Sequence, residues 1–127
     1  MLDPVQARTS EILDDILELY EKHNCKGIFA YNAQFDKGLL TTLPSDEWYD
    51  IMKIAAYKQN NPFLTDEYEY CATGRLKKNY NVEFMYKLLS GKDSYKEIHN
   101  AYQDAVDELE LMRMLKIPIE KYKVAKI

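Results

Sequence analysis

The hydrophobic pattern divides the chain into helices alternating with short apolar runs. Asp3-Pro4-Val5-Gln6 reads as a helix start: Asp at the N-cap accepts an orphan N–H, Pro suits the first helical position, and Gln can bond back to the cap. Behind it Ile12, Leu13, Ile16, Leu17, Leu19 and Tyr20 recur at three- and four-residue spacing, which predicts an amphipathic helix with that stripe on a core, ending near His23-Asn24. Lys26 to Tyr31 is a short apolar run between turn formers. That pattern predicts a strand buried on both faces, central in a parallel sheet. Asn32 to Asp36 then leads into a short helix through Leu39, Leu40 and Leu43, closed by Pro44.

Between Glu47 and Tyr57 the pattern fits a brief strand followed by a helix, or one helix, and the first is the preferred reading. Asn60-Asn61-Pro62 breaks the chain, and the Tyr/Glu-rich segment to Tyr70 with Thr73-Gly74 reads as a loop with little regular structure. Val82, Met85, Tyr86 and Leu89 make a compact amphipathic helix stopped at Ser90-Gly91. The last element runs from about Asn100 to Leu115, with Ala101, Ala105, Leu109 and Met112 as its apolar stripe and Pro118 beyond its end. Helix, strand, helix, strand, helix, helix is the order of an α/β protein.

A chain of 127 residues suits a single domain spanning 1–127, with 116–127 a basic C-terminal tail. With 46% apolar residues and no repeat or low-complexity tract, disordered, collagen-like and solenoid classes are disfavoured. The apolar runs fall far short of the roughly 20 residues that cross a bilayer, and no export signal opens the chain, so no membrane partner is expected. Cys25 and Cys71 lie far apart with no CxxC pattern. They are expected to be free thiols in a reducing, cytoplasmic setting. A net charge of −4 argues against bulk nucleic-acid binding, but the charges are unevenly placed. Acidic residues crowd the first helix (Glu11, Asp14, Asp15, Glu18, Glu21), while Arg75, Lys77, Lys78 and the tail are basic and could contact phosphates.

Two segments carry the candidate chemistry: Ile28-Phe-Ala-Tyr-Asn32-Ala-Gln-Phe35-Asp36-Lys-Gly-Leu-Leu40 and Ile98-His99-Asn-Ala-Tyr-Gln-Asp104-Ala105. Singly, an Asp after a strand is most often a helix cap, and a His beside a helix is most often a surface group. Jointly they resemble the second and third motifs of the DnaQ-like (DEDDh) 3′-to-5′ exonucleases, which read like HNAxFDxxxL and H-x4-D-A. Trp48-Tyr-Asp50-Ile-Met52 is similar to the family's fifth strand, and Asn81 to Asp93 to the helix and turn before its last motif in phage and Firmicutes members. The resemblance covers about residues 3 to 115.

It implies a ribonuclease H-like sheet on which carboxylates hold two divalent ions, Mg²⁺ or Mn²⁺, that hydrolyse the 3′-terminal phosphodiester of a nucleic acid. By motif, Asp36 and Asp104 are metal-holding carboxylates and His99 the general base, with Asn32 and Phe35 beside the substrate. Five residues separate His99 from Asp104, about 140° of helix, so His99 is expected on the loop entering the helix. Tyr31 stands where the family often has His, a change expected to be mild.

The family's first motif, Asp-x-Glu on a strand, has no counterpart. Glu67-Tyr-Glu69 falls in a loop, and Asp107-Glu108-Leu-Glu110 falls on the last helix. The chain therefore reads as the C-terminal part of an exonuclease fold, helix-rich, with a short parallel strand pair and an open sheet edge. Metal binding by the lone chain is expected to be weak. Another copy, a second polypeptide bearing the missing strands, or a local rearrangement is expected to cover the edge. The alternative is a catalytically dead remnant kept as a nucleic-acid- or protein-binding module, such as a phage inhibitor of a host machine.

Overall fold

A computed structural model describes residues 4–96 and 100–127. Helix α1 (Pro4–Lys22) occupies the predicted span, while its expected cap Asp3 lies outside the described residues. Ile16, Leu17 and Tyr20 press on a small core of Ala33, Leu43 and Trp48. Ile12 and Leu19, drawn from the same stripe, are exposed. None of the described helices is long and apolar enough to cross a membrane.

Strand β1 (Ile28–Ala30) pairs in parallel with β2 (Trp48–Asp50), in the register Ile28↔Trp48, Phe29↔Tyr49 and Ala30↔Asp50. This is a mixed helix and strand architecture with a two-stranded sheet. The expectation that β1 is central and buried on both faces is not met: its three residues are half-buried and, among the described residues, β2 is its one strand neighbour. A three-residue strand cannot be covered on both faces by the few elements that pack on it. The Ile28 N–H bonds Glu47 O (2.7 Å) and the Ile51 N–H bonds Ala30 O (2.9 Å). In a parallel ladder the bonding residues alternate, so the N–H and C=O of Phe29 point away from β2, toward an unpaired edge.

The outer edge of β2 is closed. The C-terminal stretch forms a 3₁₀ helix (Ile119–Ala125) that buries Tyr122 and Ala125, after which Lys126 bridges Tyr49 in antiparallel sense and the Ile127 N–H bonds Trp48 O at 3.1 Å. Phe29 stacks on Tyr49 with centroids 5.0 Å apart and meets Tyr122 edge-on at 5.4 Å, so the basic 116–127 stretch is folded onto the sheet.

Helix α2 (Ala33–Leu39) ends sooner than predicted, because Leu40 leaves helical backbone geometry and Leu43 is buried from the turn that follows. After β2 comes one turn of helix, α3 (Met52–Ala55), as the strand-then-helix reading expects. Helix α4 (Val82–Ser90) is capped by Asn81, whose Oδ1 accepts the Phe84 N–H at 2.9 Å, and ends at Gly91 in the left-handed region with φ 71. Helix α5 (Ala101–Leu115) starts at Asn100, whose Oδ1 accepts the Gln103 N–H at 3.1 Å.

The face that α5 buries differs from the predicted stripe. Asp107, Leu111 and Leu115 are buried, whereas Ala101 and Ala105 are exposed and Leu109 is 49% exposed. Asp107 is accommodated because its carboxylate accepts the Tyr95 hydroxyl and, at 2.9 Å, the Gln103 Nε2–H. Leu111 and Leu115 then join Ile54, Ala55, Leu64, Leu76, Met85 and Tyr122 in the main core.

The segment read as loop, from Asn60 to Gly74, is held in place by bonds that it and its flanks make. Bridges join Tyr57 to Arg75 and Tyr70 to Leu76, the Leu76 N–H bonds Ala56 O (2.9 Å), and the Lys58 N–H bonds Gly74 O (2.9 Å). Buried Asn61 donates to Ala55 O (2.7 Å) and accepts the Phe63 N–H (2.9 Å). Gly74 has φ +92, and a Cβ there would lie 2.0 Å from Gln59 Oε1, so no other residue fits this turn without displacing Gln59.

Candidate carboxylate site at the open strand edge

A cavity of about 530 Å³ runs along the unpaired side of β1, lined among others by Ala30, Asn32, Phe35, Asp36, Asp104 and Glu108. The turn that enters α2 builds one wall. Asn32 sits in the left-handed region (φ 58, ψ 52), which Asn tolerates better than most residues, and its N–H donates to Asp50 Oδ1 at 2.9 Å. The same oxygen accepts the Met52 N–H at 3.0 Å, so buried Asp50 clamps the ends of both strands. One turn into α2, Asp36 faces the cavity, and Phe35 stands on its rim, 69% exposed.

Helix α5 builds the opposite wall. Asp104 lies in its first turn, with its N–H bonded to Asn100 O (2.8 Å), and Glu108 follows one turn later on the same face. The Tyr31 N–H donates to Glu108 Oε1 at 2.6 Å, which fastens α5 to the exit of β1. Across the strand end, the Tyr31 hydroxyl donates to Tyr80 O. Burial, and then the Asp50 charge, push that phenol well above its ordinary range.

Two of the carboxylates oppose each other. Asp36 is raised above the usual aspartate value first by desolvation, then by the Asp104 charge, then by Asp50. Asp104 Oδ1 is buried with no hydrogen-bond partner. An unpartnered anionic oxygen beside a second carboxylate is the electrostatic setting that a hard divalent cation relieves. The fit is partial, because among the described residues no three His, Cys, Asp or Glu side chains converge closely enough to hold a metal.

Of the residues singled out from sequence, Asn32, Phe35, Asp36 and Asp104 line this cavity. His99 lies outside the described residues. Arg75 lines a second cavity, of about 370 Å³, that shares Tyr31, Asn32 and Val82 with the first. Lys77 and Lys78 are exposed and line neither; Lys78 borders a separate hollow with Glu67 and Tyr68. Sequence reasoning passed over Glu108 and Asp50. The four-residue offset from Asp104 is the signal that marks Glu108, whose place on the last helix excludes it only as part of an Asp-x-Glu strand motif. Asp50 carried the signal of an Asp two residues before a helical N–H that it could accept. Searches of protein-family models, curated proteins and solved structures returned no match for this chain.

Proposed function

We propose that the chain forms the Asp36/Asp104 half of a DEDDh-type 3′-to-5′ exonuclease site with a ribonuclease H-like sheet, a site that is incomplete in the lone chain. The observation that carries this reading is the meeting of Asp36 and Asp104, from distant parts of the sequence, in one cavity beside an unpaired strand edge, with an Asp104 oxygen left without a partner. Asp36 and Asp104 are the residues that would hold Mg²⁺ or Mn²⁺. When bound, such an ion supplies Lewis-acid polarisation of a phosphodiester and neutralises its developing charge. The chain's own part is to keep the two carboxylates rigidly opposed, through the Asp50 clamp and the Glu108 tie. His99 is the proposed general base. A strand seated against Phe29 from a second copy would complete the sheet, and one from another polypeptide would complete it and supply the remaining carboxylates.

A second reading has its own support. Tyr102, Val106 and Leu109 on α5, with Phe35 and Leu39 on α2, leave apolar side chains exposed on the helices that flank the edge, as a binding module without cleavage would. The test combines metal and nuclease assays. Titration of Mn²⁺ should broaden amide signals around Asp36 and Asp104 with weak affinity, and Asp104→Asn should abolish the effect. Broadening centred on acidic α1 would overturn the reading. Any release of label from 3′-labelled single-stranded DNA or RNA should vanish with EDTA and with Asp104→Asn. Digestion that survives that substitution belongs to another protein.

A further inference from the structure

We propose that the Arg75 cavity is a phosphate subsite that takes a backbone phosphodiester adjoining the terminal nucleotide of a single strand whose 3′ end lies at Asp36 and Asp104; this rests on the exonuclease reading. Three observations carry it. The Arg75 guanidinium is fixed before any ligand arrives. It lies 4.4 Å from the centroid of the Tyr80 ring, its Nε–H donates to Leu76 O (3.2 Å), and one Nη contacts Cys71 Sγ (3.5 Å). Its backbone is pinned too, by the bridge to Tyr57 and by the Cys71 N–H on Arg75 O (2.7 Å), at the turn that Gly74 alone permits. A guanidinium held this way loses little conformational entropy on gripping an anion.

None of these partners is a carboxylate. Among the described residues Arg75 has no carboxylate within ion-pair distance; the ion pairs present join Lys58 to Asp66 and Arg113 to Glu110. An ordered arginine without a counter-ion, facing a cavity of about 370 Å³, has its charge free for a ligand.

The third observation is position. The two cavities share Tyr31, Asn32 and Val82, and among the described residues that line them Arg75 is the one cation. Asp36, Asp104 and Glu108 on one side repel a bare anion, while Arg75 on the other attracts it. A ligand spanning both must present several phosphates in series, one beside the carboxylates with its cation and the next at Arg75. That is the chemistry of a nucleic-acid strand, whereas inorganic phosphate can satisfy Arg75 alone.

The experiment maps amide shifts of the full ¹⁵N-labelled chain with the trinucleotide dTpdTpdT in Ca²⁺, and with inorganic phosphate. The expected result is shifts at Gly74–Leu76 and Asn81–Val82 together with Asn32–Asp36. Arg75→Gln should then remove the first group, weaken binding by about tenfold and lower the salt slope by about 0.7. Arg75→Lys, which keeps the charge without the fork, should fall between, and it carries the test if Arg75→Gln does not fold. Shifts confined to Asn32–Asp36 would overturn the subsite and leave the exonuclease reading standing. Equal affinity for inorganic phosphate would mark a simple anion site and overturn the proposal. Shifts at Gly74–Leu76 without Asn32–Asp36, or none at all, would overturn the subsite, while the exonuclease reading stands or falls on the Mn²⁺ titration.

Discussion

Asp36 shows most directly how a single side chain sets the behaviour of the site. Its folded-state pKa lies above the ordinary value of 3.8, so the native state holds a proton that the unfolded chain releases. Stability from this group is therefore present below that ordinary value and is lost as pH rises through the raised one. Replacing Asp36 with Asn removes the repulsion. Thermal melts should show the variant above the wild type at neutral pH, with the gap closing as pH falls below the ordinary aspartate value. A variant that melts lower at neutral pH would mean that Asp36 is held by a favourable partner instead. Tyr31 illustrates the opposite limit of residue-scale reading. The sequence places it in the position the resemblance often gives to His, but its reach to Tyr80 O across the strand end depends on where a distant helix begins. No local pattern encodes that.

Among the elements, legibility follows the range of the interactions that fix them. The caps Asn81, Asn100 and Gly91 act within one turn, and the helices they bound stand where the sequence predicts them. The segment from Asn60 to Gly74 is ordered by bonds that it and its flanks make, so composition alone reads it as loop. Helix α5 shows a further limit: periodicity reports that an apolar stripe exists but not which face finds a neighbour. Of the stripe Ala101, Ala105, Leu109 and Met112, Met112 packs on the core while the other three stay exposed, because the buried contacts are made by Leu111 and Leu115 beside a satisfied Asp107. Truncation distinguishes the two faces. Leu111→Ala should cost about 2–5 kcal/mol in denaturant unfolding, and Leu109→Ala less than about 1 kcal/mol. Similar losses at both positions would mean that the outer face is covered in solution. Asp36 and Asp104, both singled out from sequence, line one cavity, and Glu108 joins them one helical turn beyond Asp104, an offset that sequence alone can display.

For the whole molecule, the sheet is small enough that its two edges decide how the parts hold together. Tyr122, fully buried, holds the 3₁₀ segment against Phe29, and burial pushes its phenol up to about 12. Tyr122→Ala should cost about 3–5 kcal/mol and lower the protection of β2 amides in hydrogen exchange, since Lys126 and Ile127 would lose their anchor. Unchanged β2 protection would show that the segment only rests on the sheet. The asymmetry between the edges also bears on stoichiometry. With the far side of β2 covered by Lys126 and Ile127, the Phe29 side is the edge that the described residues leave open to a docking strand. If the donor is another copy, each molecule consumes the open edge of the other, and growth stops at two. Pairing of the two open edges with each other favours a closed dimer over a continuing sheet.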